Sequence, residues 1–319
     1  MCIRVFFYFC CLSNYTCMNF SKVNNLVGWI TGLIATTVYI ITMEPTVSFW
    51  DCGEFISCAH KIEVGHSPGA PLFMMIQRLF GLMAFGDVHK VAMMMNAWSA
   101  IASGLTILFL FWTITHFARR LVTGREGEPQ GNQLILIMGA GLVGALAYTF
   151  SDTFWFSAVE AEVYATSSFF TALVFWAILK WEHMAHKPGA DKWLVFIAYM
   201  MGLSVGIHLL NLLAIPAIAM VYYFRRYEAT NFGTFAAFLI GCALLGLVQF
   251  GVLQGLPILA SKLDFMFVNS FGMPFDVGAY VFIALLVAAL AWGVIFVKRK
   301  GWYLAHTGLL CLIFIIIGF

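Results

Sequence analysis

Asp51 and Glu54 stand three residues apart in the stretch Glu44-Pro45-Thr46-Val47-Ser48-Phe49-Trp50-Asp51-Cys52-Gly53-Glu54-Phe55. On a helical turn their carboxyls would share a face, and in a loop they could still converge. Neighbouring carboxylates push their pKa values apart, which suits proton transfer. Trp50 adds a flat apolar face of the kind that receives a sugar ring. The plainer reading makes Asp51 a solvated loop acid or a helix cap.

The same loop continues through Glu63-Val64-Gly65-His66-Ser67-Pro68-Gly69-Ala70-Pro71. Two further polar groups interrupt an otherwise apolar chain. One is Ser151-Asp152-Thr153-Phe154-Trp155 followed by Glu160-Ala161-Glu162-Val163-Tyr164; the other is the break from Gly202 to Asn211, with His208 in it. The four-residue spacing of Glu160 and Tyr164 predicts one helix face for both, with Glu162 pointing elsewhere. His208 reads first as a hydrogen-bonded packing residue and second as a ligand. A zinc site built from Glu54, His60 and His66 matches no standard ligand spacing, so no metal is assigned. Met93-Met94-Met95 reads as helix packing, and His183 and His186 as ordinary loop residues. Cys52 and Cys58 flank the first loop, and a disulfide between them would need a geometry that spacing alone does not supply. No P-loop, GxSxG or HExxH pattern is present.

The elements that position these residues follow from composition. The chain is 62% hydrophobic and 10% charged over 319 residues, with a mean hydropathy of +0.91. A soluble domain carries about 25% charged residues, so an aqueous fold is excluded and a polytopic, all-α membrane protein is expected. Nine spans are predicted, near residues 26–43, 91–117, 134–150, 163–181, 194–207, 209–224, 232–254, 279–297 and 302–319, each set against the roughly 20 residues a crossing needs. Lys192 before the stretch 194–224 and Arg225-Arg226 after it predict two short helices that return to the same side.

With the start cytoplasmic, 13 of the 17 basic residues fall inside, leaving Lys61, Arg78, Lys90 and Lys262 outside, and 10 of the 15 acids fall outside. That asymmetry sets the orientation and predicts that all three polar groups share one extracytoplasmic cavity. Residues 70–85 are apolar, but a crossing there would invert Arg119, Arg120 and Arg125. They are therefore laid along the outer interface as a helix. Residues 1–20 are read as a non-native extension or a disordered start, with a true start near Met18, and residues 21–319 as one transmembrane domain that is truncated at its C-terminal end. No span carries a charge at its middle, which counts against an ion-coupled transporter.

The segment Pro45-Thr46-Val47-Ser48-Phe49-Trp50-Asp51-Cys52-Gly53-Glu54-Phe55-Ile56, with Glu63-Val64-Gly65-His66-Ser67-Pro68-Gly69-Ala70-Pro71 after it, closely resembles a bacterial multi-spanning family of formerly unknown function. That family is similar to the eukaryotic O-mannosyltransferase of plexin-type receptor domains, within the GT-C glycosyltransferases. The eukaryotic sequence has Gly-Asp-Ser-Gly-Glu at Trp50-Asp51-Cys52-Gly53-Glu54 and His-Pro-Pro-Gly at His66-Ser67-Pro68-Gly69. Further matches are Trp155 with Ala161-Glu162-Val163, and Gly202-Leu203-Ser204-Val205-Gly206. The resemblance runs from Asn19 to about Pro216.

It implies a GT-C-like fold and an inverting transfer of a sugar, such as mannose, from a polyprenyl-phosphate donor to a Ser/Thr hydroxyl of an acceptor protein. The site would lie on the periplasmic face of a bacterial inner membrane. By the same resemblance Asp51 is the general base, and Glu54 orients it or the acceptor. Arg78, or else Lys61 or Lys90, would meet the leaving phosphate. Trp50, His66, Glu160, Glu162, Tyr164, His208 and Asn211 would contact substrate. No cofactor, metal or nucleic acid is implied beyond the lipid-linked donor and the surrounding membrane lipids. Competing readings are a transporter or flippase of a lipid-linked precursor and a non-catalytic envelope scaffold.

Overall fold

The computed structural model describes residues 19–67, 69–124 and 127–319. The expected extension therefore lies, for residues 1–18, outside the described residues, as do Pro68 and Arg125. Among the described residues the secondary structure is helical throughout. The helices are α1 (Phe20–Thr42), α2 (Cys52–Lys61), α3 (Pro71–Leu82), α4 (Val91–Thr123), α5 (Asn132–Thr149), α6 (Asp152–Ala158) and α7 (Val163–Met184). They continue as α8 (Lys192–Val205), α9 (Ala214–Arg226), α10 (Asn231–Gly246), α11 (Leu256–Phe271), α12 (Val277–Arg299) and α13 (Tyr303–Gly318). Two compact units contain them: the described residues through Ser57 with Gln77–Ala165, and Cys58–Ile76 with Thr166–Phe319.

Among the described residues seven helical stretches are long and apolar enough to cross a membrane: Phe20–Thr42, Val88–Thr123, Asn132–Thr149, Val163–Met184, Leu209–Arg226, Asn231–Phe271 and Val277–Lys300. The chain is thus a polytopic integral membrane protein. The predicted count of nine is not confirmed, because two of the expected spans, Lys192–Val205 and Tyr303–Gly318, are apolar helices of only 14 and 16 residues. A helix stands where the interfacial segment is expected; α3 has 12 residues, about 18 Å of rise, against the roughly 30 Å of a hydrocarbon core. Asn231–Phe271 runs on for 41 residues, well past the predicted 232–254. Pro257 would remove a helical hydrogen bond, and the π-helical stretch Leu247–Gly255 just before it absorbs the irregularity.

In the first unit, small residues let α1 lie close on α4. Gly28 and Gly32, four apart, face Trp112, Phe111 and Leu108, while Gly104 faces Thr36 so tightly that any side chain there would collide. Such small-residue contacts supply the van der Waals packing that holds helices together in lipid. Around them sit the buried side chains Tyr39, Ile107, Phe111, Ile137 and Phe154. The Tyr39 hydroxyl donates to the Thr149 carbonyl at 2.8 Å, tying the C-terminal ends of α1 and α5 together.

In the second unit, Arg226 pairs with Asp191 at 3.1 Å, and Arg225 Nε donates to the Glu182 carbonyl at 2.8 Å. The two ends of the stretch 192–226 therefore meet. It goes in, breaks at Gly206-Ile207-His208 and returns, as the flanking charges predict. At the break, the Leu72 and Phe73 amides at the start of α3 donate to the Gly206 carbonyl at 2.8 and 3.2 Å. Gly202 lies against the backbone of Ile315 and Gly318, so α8 and α13 pack at backbone distance.

Candidate functional site

The first unit draws its polar groups together at one end. The Glu44 amide donates to the Val159 carbonyl at 3.0 Å, which joins the loop after α1 to the link between α6 and α7. From α4, Asn96 Nδ2 donates to the Glu44 and Thr46 carbonyls at 2.7 and 3.0 Å. The Trp155 indole N–H donates to Thr42 Oγ1 at 3.0 Å. The loop's backbone is thus tied to α4 and to the α6–α7 link, and the end of α1 that leads into it is tied to α6.

Inside that frame lie two buried carboxyls. Glu160 and Glu162 are 4% and 6% exposed, and each meets neutral donors. Cys52, fully buried at the start of α2, donates its thiol hydrogen to Glu162 Oε1 at 3.6 Å. Glu160 accepts from the Ser48 hydroxyl and from Cys52, and Glu162 also from the Val163 amide. Burial, the largest cause, raises both carboxyl pKa values; Glu44 adds to this for Glu160, and Glu160 and Asp51 for Glu162. The Cys52 thiol is pushed up by burial first and by Glu160 and Glu162 next. Each of these groups gives up its proton at a higher pH than a solvent-exposed counterpart would.

Asp51 lies at the rim of the same unit and is exposed, its carbonyl accepting the Phe55 amide at 2.9 Å. Glu54, half-buried, follows in the first turn of α2. Trp50 is 86% exposed with a φ of 62°, the left-handed region that bulky residues avoid. The loop thus presents the indole outward at a conformational cost. Arg78 is half-buried on α3, and Tyr164 is exposed in the first turn of α7. The predicted common face of Glu160 and Tyr164 does not form, because α7 begins at Val163 and Glu160-Ala161-Glu162 is non-helical. Instead Glu160 and Glu162 both turn toward Cys52.

The second unit holds His66, His208 and Asn211. The His66 carbonyl accepts the Gly69 amide at 2.8 Å in a tight turn. His208 Nδ1 accepts the Leu210 amide at 3.1 Å, and burial lowers its pKa, so the ring stays neutral near pH 7. Asn211 is buried and donates to Ser204 Oγ at 3.0 Å. Cys52 and Cys58 are both free thiols.

Sequence reasoning gave no role to Ser48, Glu44 or Asn96, and it weighed Cys52 as one half of a disulfide. One signal was available for Cys52: the resembling sequence carries Ser there, and thiol and hydroxyl are both hydrogen donors.

The family described as Protein O-mannosyl-transferase TMEM260 N-terminal domain matches residues 51–231, more than half of the 319 residues. The chain is 26% identical over 139 residues to Protein O-mannosyl-transferase tmem260 of Dictyostelium discoideum, covering 44% of this chain and 15% of that protein. It is 26% identical over 170 residues to Protein O-mannosyl-transferase TMEM260 of Mus musculus, covering 53% of this chain and 21% of that protein. The chain thus spans a small part of the curated relatives it matches. No solved structure matches it. Asp51, Glu54, Arg78, Glu160 and Glu162 all fall within the matched residues, and the chain belongs to the family of the TMEM260 N-terminal domain.

Proposed function

We propose that this protein is a GT-C-type membrane glycosyltransferase that moves mannose from a polyprenyl-phosphate carrier to a Ser or Thr hydroxyl of an acceptor protein on the extracytoplasmic face. The observation that carries this reading is the contrast at one end of the first unit. An exposed carboxyl, Asp51, stands on a loop fixed by Asn96, beside a buried pair, Glu160 and Glu162, whose carboxyl pKa values burial raises. The relatives' names supply the sugar and the protein acceptor.

In this mechanism Asp51 accepts the proton of the acceptor hydroxyl as its oxygen attacks the anomeric carbon. The new carbon–oxygen bond forms as the carbon–oxygen bond to phosphate breaks. The electron pair leaves with polyprenyl phosphate, and the configuration at carbon inverts. Glu54, three residues on, orients Asp51 or the acceptor. Trp50 offers its exposed indole face to the sugar. Arg78 stabilises the charge that develops on the leaving phosphate.

The test is reconstitution of the purified protein in proteoliposomes with polyprenyl-phosphate mannose and a Ser/Thr-containing acceptor peptide. A hexose mass added to the peptide, with release of polyprenyl phosphate and no transfer from a nucleotide-linked mannose, is the expected result. Transfer from the nucleotide donor alone would overturn the lipid-donor reading, and no transfer from either donor would overturn the activity.

A further inference from the structure

Gln77 is 0% exposed, and neither its amide nitrogen nor its amide oxygen has a hydrogen-bond partner. The same holds for the hydroxyls of Ser99 and Ser103 and for Asn96 Oδ1. Thr106, Thr113, Thr115 and Thr123 on the same helix α4 all donate to carbonyls three or four residues back. That is the ordinary way a helix satisfies a hydroxyl in an apolar setting, and Ser99 and Ser103 do not use it. Asn96 gives its amide hydrogens to the Glu44 and Thr46 carbonyls and leaves its oxygen open.

Two side-chain contacts set the register of α3 against the start of α4. A Cβ on Gly81 would stand 2.5 Å from the Met95 methyl, and the Phe80 and Trp98 rings lie 5.3 Å apart. The two helices therefore run in opposite directions here. Gln77 lies one turn before Gly81 on the same face of α3. Its counterpart on α4 is the turn after Met95, which carries Ser99 and leads on to Ser103. Asn96, Ser99 and Ser103 follow one side of α4 inward from the Glu44–Thr46 loop, over a rise of about 10 Å.

We propose that this seam between α3 and α4 is a binding site for a neutral, hydroxyl-bearing ligand, held by the Gln77 amide and the Ser99 and Ser103 hydroxyls. A buried polar group is normally paired, and one without a protein partner marks a place for water or ligand. The set is uncharged and offers donors and acceptors together: two N–H groups and an oxygen from the amide, and both roles from each hydroxyl. A charged group would find no counterion among them, whereas a hydroxyl can satisfy both kinds. Two sources share that chemistry, the hydroxyls of a sugar and ordered water. The sugar source rests on the transferase reading above.

The test is the thermal midpoint of the whole protein in nanodiscs, titrated with methyl α-D-mannopyranoside. At about ten times the half-saturating concentration the midpoint should rise by about 2–4 °C. Gln77→Leu, which keeps the volume, and the double variant Ser99→Ala/Ser103→Ala should both abolish the rise. Asp51→Asn lies outside the seam and should retain it even where transfer is lost, so the two readings fail separately. No rise, with map density for water joining the Gln77 amide to Ser99 or Ser103 in electron cryo-microscopy, assigns the site to water and still supports it. A rise that persists in both variants, or no rise and no density between these groups, overturns the proposal.

Discussion

The Cys52 thiol and the Glu162 carboxyl, 110 residues apart in the chain, meet at 3.6 Å with both side chains buried. This contact fixes the start of α2, and with it Asp51, against the entry to α7. Two buried carboxyls in this unit are satisfied by a thiol, a hydroxyl and a backbone amide.

Cys52 should tolerate Ser and resist Val. Serine keeps a hydrogen donor for Glu162, whereas Cys52→Val leaves a buried acceptor short of a partner, which costs about 1–3 kcal/mol. Thermal unfolding of both variants checks this, and equal midpoints would remove the contact from the account. Native Cys52 should also resist maleimide at neutral pH, since it is buried and its thiol is held protonated.

The acid pair sets a pH dependence of definite sign. Both carboxyls are raised above their ordinary 4.5 in the folded protein. The native state therefore binds more protons than the unfolded chain between 4.5 and the raised values. Their contribution to stability is complete below that window and is lost as pH rises through it. A thermal-midpoint profile should decline upward from about pH 4.5, and the double variant Glu160→Gln/Glu162→Gln should flatten it. An identical profile in the variant would show that the pair does not hold its protons.

Gly104 carries the packing of α1 on α4. Gly104→Leu would drive a side chain into Thr36, and overpacking of this kind costs about 1–3 kcal/mol. Loss of thermal stability is the expected readout; an unchanged midpoint would mean that the two helices separate without penalty.

Much of this was legible in the sequence because a bilayer imposes few solutions. Apolar runs must be helices, and the return of the stretch 192–226 follows from Lys192 before it and Arg225-Arg226 after it; in the fold Arg226 meets Asp191, next to Lys192. Asp51, Glu54, Glu160 and Glu162 stand out as acids in an apolar chain. Less legible was whatever depends on a third dimension. Asn96 and Gln77 lie within apolar helices, and their roles come from facing particular carbonyls or from facing none. The helical face drawn through Glu160 and Tyr164 failed because the helix starts later, at Val163, whose amide is taken by the Glu162 side chain. The length of Asn231–Phe271 escaped because hydropathy marks where a chain is apolar and not where its helix stops.

The most direct test of the site is turnover of an Asp51→Asn protein that keeps the wild-type thermal midpoint, assayed with polyprenyl-phosphate mannose and a hydroxyl-bearing peptide. A loss of about 10²–10⁴-fold is expected if Asp51 takes the acceptor proton. Wild-type turnover by that variant would contradict the account.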